Sequence, residues 1–213
     1  MTRSAAKQRT RLSPEKRREL ILDHAAEIVA RDGVATLSME SIGREAGISK
    51  SLIYNYFSNL TEMLKVLLDR ELRRLRRSQA EAAENADTLE GLVRAVTHAY
   101  LKYIDERGLI IERLQAEPSV SDMHDPTEYS RDTAVDYVTE IAERVLDLPP
   151  ELARAATDIS FGIPAAAGAY LLRRRLPLDE VEQLTTTMIL GSLTSLKTDY
   201  MVRRTQLRRR KAD

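Results

Sequence analysis

The chain has 213 residues, 43% of them hydrophobic, with 33 Lys+Arg balanced by 33 Asp+Glu and no cysteine. That length supports one or two domains with a sizeable core, and the composition excludes disulfides and thiolate chemistry. The zero net charge conceals blocks: 16 basic against 10 acidic residues over 1–77, 6 against 16 over 78–147, and 11 against 7 over 148–213. A basic front end suits a polyanionic partner, whereas the acidic middle reads as solvated helix faces. There is no apolar leader at the N-terminus, and the longest weakly polar run, 159–172, is too short for a bilayer and holds Pro164. The expectation is a cytoplasmic protein with no membrane span.

Residues 1–14 form a basic arm with Arg3, Lys7, Arg9 and Arg11 and almost no large apolar side chain. Such an arm is a tail that solubilises the chain or a tracker of phosphates and minor grooves. Ser13-Pro14 then opens a helix with an apolar stripe of Ile21, Leu22, Ala25, Ile28 and Val29, ended by Asp32-Gly33. Ser38 is an N-cap candidate for a second helix carrying Ile42 and Ala46, and Gly47 supplies the positive-φ turn. Ser49 restarts a helix predicted over Lys50 to Phe57, with Ile53 and Phe57 inward and Lys50, Ser51, Tyr54 and Asn55 outward, Leu52 and Tyr56 at the margins. Amide and hydroxyl groups on such a face can read base edges, and cations or tyrosine hydroxyls can hold phosphate. A further helix opens at Asn59, with Glu62 placed for a capping box, and continues through Leu64, Leu67, Leu68, Leu72 and Leu75. The helix-Gly-helix turn alone equally describes a surface hairpin of an ordinary α protein.

The order of elements narrows the choice. Ile21-Leu22 with Ala25-Ala26, Gly33, Ser38, Ile42, Ala46-Gly47-Ile48-Ser49-Lys50 and Tyr54-Asn55-Tyr56-Phe57 together resemble the N-terminal domain of the TetR family of transcriptional regulators, over about residues 15–75. The resemblance implies a three-helix DNA-binding domain with the helix-turn-helix at about 38–57, and DNA contacts from Ser38, Ser49, Lys50, Ser51, Leu52, Tyr54, Asn55 and Tyr56. Two positions depart from the pattern. Gly43 replaces the usual alanine and is expected to soften the second helix by about 1 kcal/mol, and Leu60 stands where many members place a phosphate-binding lysine.

Downstream the chain reads all-α, with no alternating strand pattern. Arg73-Arg74-Leu75-Arg76-Arg77 and Arg208-Arg209-Arg210-Lys211 read as solvated helix faces. Leu89, Leu92, Val93, Val96, Tyr100, Tyr103 and Ile104 keep helical spacing up to Gly108, followed by a short apolar piece at 109–114 and a loop with Pro118 and Pro126. Ala134, Val138, Ile141 and Val145 mark another helix, stopped by Pro149-Pro150. A helix from about Glu151 to Arg174, kinked by Pro164, carries Gly162, Ala165, Ala166 and Ala169 on one face. The last helix carries Met188, Gly191, Ser192 and Ser195. Small faces let helices approach closely within a monomer; the family resemblance implies instead that they form a homodimer interface, suited to palindromic double-stranded DNA.

The resemblance also implies a small-molecule pocket in a C-terminal domain spanning 76–213. Tyr100, Tyr103, Ile104, Ile111, Arg113, Leu114, Gln115, Met123, Tyr137 and Phe161 are its candidates, each of which fits a plain helical core as well. Arg113, inside an apolar helix, could meet an anionic ligand or pair with Glu112 or Glu117. Function is therefore expected to be that of a ligand-responsive regulator, a repressor released from its operator by a small, largely apolar effector, with no cofactor and no metal. A ligand-independent architectural DNA-binding protein is one alternative. Another is an all-helical metal phosphohydrolase using His98, His124-Asp125 and Asp158, for which three histidines in the chain are thin support. No phosphate loop, nucleophile elbow or metalloprotease motif occurs.

Overall fold

A computed structural model describes residues 12–84, 86–121, 128–173 and 176–210, and every regular element among them is helical. Ser13 starts α1 (Pro14–Asp32): its hydroxyl accepts the Lys16 N–H at 3.3 Å, and Pro14 sits in the first turn, where its missing N–H costs nothing. Gly33, at φ 87°, ends the helix. A 3-10 turn (Val34–Thr36), α2 (Met39–Ala46) and α3 (Lys50–Tyr54) follow. Next come α4 (Leu60–Glu84), α5 (Leu89–Gln115), the single turn α6 (Pro118–Ser121), α7 (Glu128–Leu146), α8 (Pro150–Ser160), α9 (Gly162–Leu172) and α10 (Leu178–Arg210).

The helices form two compact units. The first takes the chain up to Leu68 together with the stretch from Arg113 through α6; the second takes Asp69–Glu112 and the helices from α7 onward. The boundary thus precedes the residue 75 expected from sequence, and the end of α5 belongs with the N-terminal helices. In the first unit the α1 stripe is buried as its spacing predicts, with Ile42, Ile53, Phe57, Met63, Leu64 and Leu67. The Arg18 guanidinium lies 5.0 Å from the centre of the Phe57 ring, a cation–π contact. Arg113 Nη1 donates to the carbonyls of Val29 (2.7 Å) and Ala30 (3.0 Å). Those carbonyls lie in the last turn of α1, at the negative end of its dipole, where a guanidinium is favourable.

Three expectations for the second unit change. The buried side of α7 is Val135, Thr139, Ala142 and Leu146, whereas Val145 is 46% exposed; Ala142 and Leu146 join Leu89, Leu148, Ala153, Ile189 and Leu193 in one core cluster. The small Ala142, clustered with Ala153 of α8, suits the close packing of α7 on α8, and a stripe weighted by apolar bulk missed it and the buried Thr139. Gly108 does not end a helix. α5 runs through it because a Cβ there would stand 2.9 Å from Ile104 Cγ2 and 3.0 Å from Leu172 Cδ2, so the glycine admits the end of α9. The helix predicted over 151–174 is two helices separated at Phe161. Pro164 has no N–H for the Ser160 carbonyl and its ring crowds that carbonyl, so the break falls one turn upstream of the proline.

Sequence reasoning overlooked a buried charged contact of this unit. Glu71 of α4 is fully buried, and Arg107 of α5 grips its carboxylate with Nε at 2.5 Å and Nη2 at 2.8 Å, while the Tyr103 hydroxyl donates to Oε2 at 2.8 Å. Burial alone would push this carboxyl up, but the Arg107 hydrogen bonds and charge, with Tyr103, outweigh it and hold the pKa below the usual carboxylate value. A depressed folded-state pKa makes the contribution fully present above the unfolded carboxylate range and lost as pH falls through the folded value. Glu71→Ala is expected to cost about 3 kcal/mol in urea denaturation at neutral pH, because it strands a half-buried guanidinium. Arg70, whose guanidinium also reaches Glu71 at 3.2 Å, is left without that carboxylate as well. Replacing Glu71 with Leu, Arg107 with Met and Arg70 with Met together should recover most of the loss, and equal instability of that triple variant would show that the charges are not the cause.

Candidate nucleic-acid interface

The turn between α2 and α3 is built on two glycines. Gly47 adopts the left-handed conformation (φ 66°), and both its N–H and that of Ile48 turn back to the carbonyl of Gly43, closing the end of α2 in a Schellman-like wrap. The returning backbone lies directly on Gly43: a Cβ there would be 2.8 Å from the Ile48 carbonyl oxygen. The glycine is therefore a requirement of the close approach, which corrects the expectation that it merely softens the helix. Ser38 caps α2 in a reciprocal pair with Ser41, each hydroxyl accepting the other residue's backbone N–H at about 3 Å. Ser49 caps α3 by accepting the Leu52 N–H at 3.2 Å. Arg31 Nη2 on Glu45 Oε1 at 2.6 Å ties the end of α1 to the end of α2.

α3 is shorter than its sequence suggests. It stops at Tyr54, with Asn55 as the C-cap, and a turn carries the chain through Tyr56 to the buried Phe57. Ile53 is wholly buried, while Ser49, Lys50, Ser51, Tyr54 and Asn55 are exposed and Leu52 and Tyr56 partly so. Ser38, also exposed, lies at the start of α2. At the start of α4, the Asn59 side chain accepts the Glu62 N–H at 2.8 Å, and Glu62 reaches back to the Ser58 N–H at 2.7 Å, one residue earlier than the anticipated box. One cation carries a feature that the sequence hid: Lys50 Nζ is paired with Glu40 Oε1 of α2 at 2.9 Å. The hydrogen bond and charge of Glu40 raise the lysine pKa, and those of Lys50 lower that of Glu40.

In the second unit the pocket candidates separate. Tyr137 lines a cavity of ≈ 130 Å³ with Arg76, Gln79 and Ala83, and Phe161 lines a neighbouring one of ≈ 70 Å³ with Thr97, Ser160, Pro164 and Ile189. Leu92, Val96 and Val138 border both, so the two adjoin. Arg76, read from sequence as a solvated face residue, is thus a cavity wall. Tyr103 is committed to Glu71, and Tyr100 and Ile104 pack where Gly168 leaves room. Ile111 and Leu114 are buried core residues, Gln115 is exposed, and Arg113 is spent on α1. Met123 lies outside the described residues. Leu92, Val93 and Val96 were visible in sequence as a stripe, but nothing there distinguished a cavity wall from filled core. The eight residues of the expected dimer face, Gly162, Ala165, Ala166 and Ala169 on α9 and Met188, Gly191, Ser192 and Ser195 on α10, are all exposed. Of the phosphohydrolase set, His98 Nδ1 pairs with Glu182 at 2.8 Å on the surface, and neither it nor Asp158 joins a metal-ligating group among the described residues. His124 and Asp125 lie outside them.

Two substitutions test the geometry. Gly43→Ala adds about 1 kcal/mol of helix propensity but forces a backbone carbonyl aside, an overpacking cost of about 1–3 kcal/mol, so the variant should melt lower than wild type. Glu40→Gln releases Lys50 and should tighten binding to any duplex by about two- to fivefold, with a steeper salt dependence. Filter binding or anisotropy over a salt series measures both; unchanged affinity would mean that the pair does not compete with phosphate.

Residues 21–67 match the model of the bacterial regulatory proteins of the tetR family. The chain is 26% identical over 175 residues to the transcriptional activator FasR of Mycolicibacterium smegmatis, covering 80% of this chain and 78% of that protein. It is 30% identical over 88 residues to the nicotine-responsive transcriptional repressor HdnoR of Paenarthrobacter nicotinovorans, covering 41% and 43%. Its fold is that of a tetR-family regulator from Streptomyces coelicolor, with TM-score 0.69, 21% identity and coverage of 93% of this chain and 89% of that one. The helix-turn-helix on Gly43 and Gly47 and the family match laid over it agree: residues 21–67 are a DNA-binding domain of the TetR family of transcriptional regulators, and the all-helical remainder has the fold of such regulators.

Proposed function

We propose that the protein is a cytoplasmic, homodimeric repressor that leaves a palindromic operator when a small, largely apolar molecule occupies its second unit. The observation that carries ligand response is the pair of adjoining cavities bordered by Leu92, Val96 and Val138, whose walls are chiefly aliphatic and aromatic with Arg76, Gln79, Thr97 and Ser160 as polar fixtures. Such a composition selects an apolar body with one or two polar groups. A similar protein, HdnoR, is named nicotine-responsive, which supports this reading. A ligand releases DNA only by binding the DNA-incompetent arrangement more tightly than the competent one.

Dimerisation is supported by the outer faces of α9 and α10. Neither Gly162 nor Gly191 has an atom within 4 Å of where a Cβ would stand, and around them Ile159 is 75%, Leu184 54% and Met188 52% exposed. Apolar groups exposed beside small residues suit a close helix–helix contact with a second copy. A twofold partner then places two α3 segments on half-sites about 34–36 Å apart. Ser49, Lys50, Ser51, Leu52, Tyr54, Asn55 and Tyr56 make the DNA contacts in this reading, with Ser38 against the backbone.

Selection of bound DNA from a random pool, followed by a screen of metabolites for release, tests the whole reading. A palindromic consensus and at least one releasing compound are expected. Lys50→Ala should weaken binding to all sequences and lower the salt slope by about one, whereas Asn55→Ala should relax preference at particular positions. Val96→Phe, which fills the cavities, should leave operator binding intact and abolish release. A folded protein that ignores every duplex at low salt would overturn the proposal.

A further inference from the structure

His24, Glu27 and Glu45 stand together in the first unit, and nothing in DNA reading or ligand response uses them. His24 and Glu27 are three apart on α1 and share a face; Glu45 is the penultimate residue of α2. One ligand atom of each, an imidazole nitrogen and two carboxylate oxygens, lies within 4.8 Å of the others. His24 Nδ1 is shielded from solvent and makes no hydrogen bond, although Glu27 Oε2 is only 3.2 Å away. The separation suits a hydrogen bond and the direction does not. Two lone-pair atoms that are close but misaligned for a shared proton are disposed to share a third atom lying between them and a further oxygen.

We propose that His24, Glu27 and Glu45 bind a first-row divalent transition-metal ion, with zinc as the type. An imidazole nitrogen selects such ions over magnesium and calcium, which prefer all-oxygen shells. Closing to ligand bonds of about 2.0–2.2 Å requires the carboxylates to swing inward, which the 65% exposed Glu27 side chain is free to do. Arg31 holds Oε1 of Glu45 at 2.6 Å and orients the carboxylate from outside. Three protein ligands leave the remaining positions to water, so the site is open and its affinity moderate. Bound metal ties α1 to α2 just ahead of the Gly47 turn. The sequence alone offered no such site, because Glu45 reaches the His-x-x-Glu pair only through the packing of α2 on α1.

The test uses the untagged full-length protein after treatment with chelator, titrated with cobalt(II) as a spectroscopic probe and then with zinc(II). One equivalent per chain is expected, with a cobalt absorption displaced by zinc, unaffected by magnesium, and a melting temperature that rises with zinc. His24→Gln and Glu45→Gln should each weaken binding by about tenfold or more and remove the thermal shift. Glu27→Gln lies on the exposed side and should keep the metal-free melting temperature while losing affinity, so the proposal stays testable if either of the other variants fails to fold. It is overturned if neither ion binds stoichiometrically, if Glu27→Gln binds as tightly as wild type, or if binding survives His24→Gln and disappears in His98→Gln. These readouts require no DNA, so their outcome is independent of the operator and the effector.

Discussion

The angle at which α3 leaves α2 rests on a backbone-to-backbone contact, not on side chains. The Ile48 carbonyl oxygen sits 2.8 Å from where a Cβ on residue 43 would stand, too close for one, while the carbonyl of Gly43 receives the N–H groups of Gly47 and Ile48. A contact of this kind has one geometry, since neither partner has a rotamer with which to adjust. The side chains then follow: Ile53 and Phe57 can be buried together only if α3 starts at this place, and burying them turns Lys50, Ser51, Tyr54 and Asn55 outward. Base readout needs side chains positioned to fractions of an ångström. A turn held by two glycines and two serine caps provides that precision in a stretch too short to be stable as an isolated helix.

A different device holds the second unit. Glu71 is fully buried, and the forked geometry of Arg107, with the Tyr103 hydroxyl and the Arg70 guanidinium at 3.2 Å, makes an ionised carboxylate tolerable there. Such a group contributes less to net stability than to register, because apolar side chains of equal volume would pack as well without fixing which residues must meet. The two mechanisms are complementary. Steric exclusion defines the turn at Gly43, and charge matching defines how α4 lies on α5.

The first unit was legible in sequence nearly residue by residue, because its signals are local: Ser13, Ser38 and Ser49 cap, Gly33 and Gly47 adopt positive φ, and the α1 stripe repeats at helical spacing. What failed depended on partners distant in sequence. Gly108 looked like a stop until Leu172 came to lie on it, and Arg113 looked like a ligand group until the end of α1 claimed it. Val145 looked buried because bulk was counted, whereas the buried side of α7 carries Thr139 and Ala142. Phe57 was placed in the helix because Ile53 to Phe57 is one helical turn, yet both are buried across a turn that begins at Asn55. The cavity walls could not be identified at all, since a void is set by what surrounding chains fail to fill.

The Lys50–Glu40 pair bears on how specificity arises. Electrostatic affinity for any duplex grows with each phosphate neutralised, so a lysine left free at the tip of α3 would hold nonspecific and specific DNA alike. Pairing it with a carboxylate from α2 exacts a cost at every duplex that must be recovered from other contacts. In the proposed reading, Asn55 and Tyr54 supply them through base edges on an operator and cannot on random sequence, where the lysine is left to choose between Glu40 and a phosphate. The ion pair thus subtracts about equally from both modes of binding and leaves the difference, on which discrimination depends, to the side chains that read bases. Under the proposed ligand response it would also lower the threshold for release, because a protein held less tightly by charge needs a smaller differential affinity from an effector to leave its site.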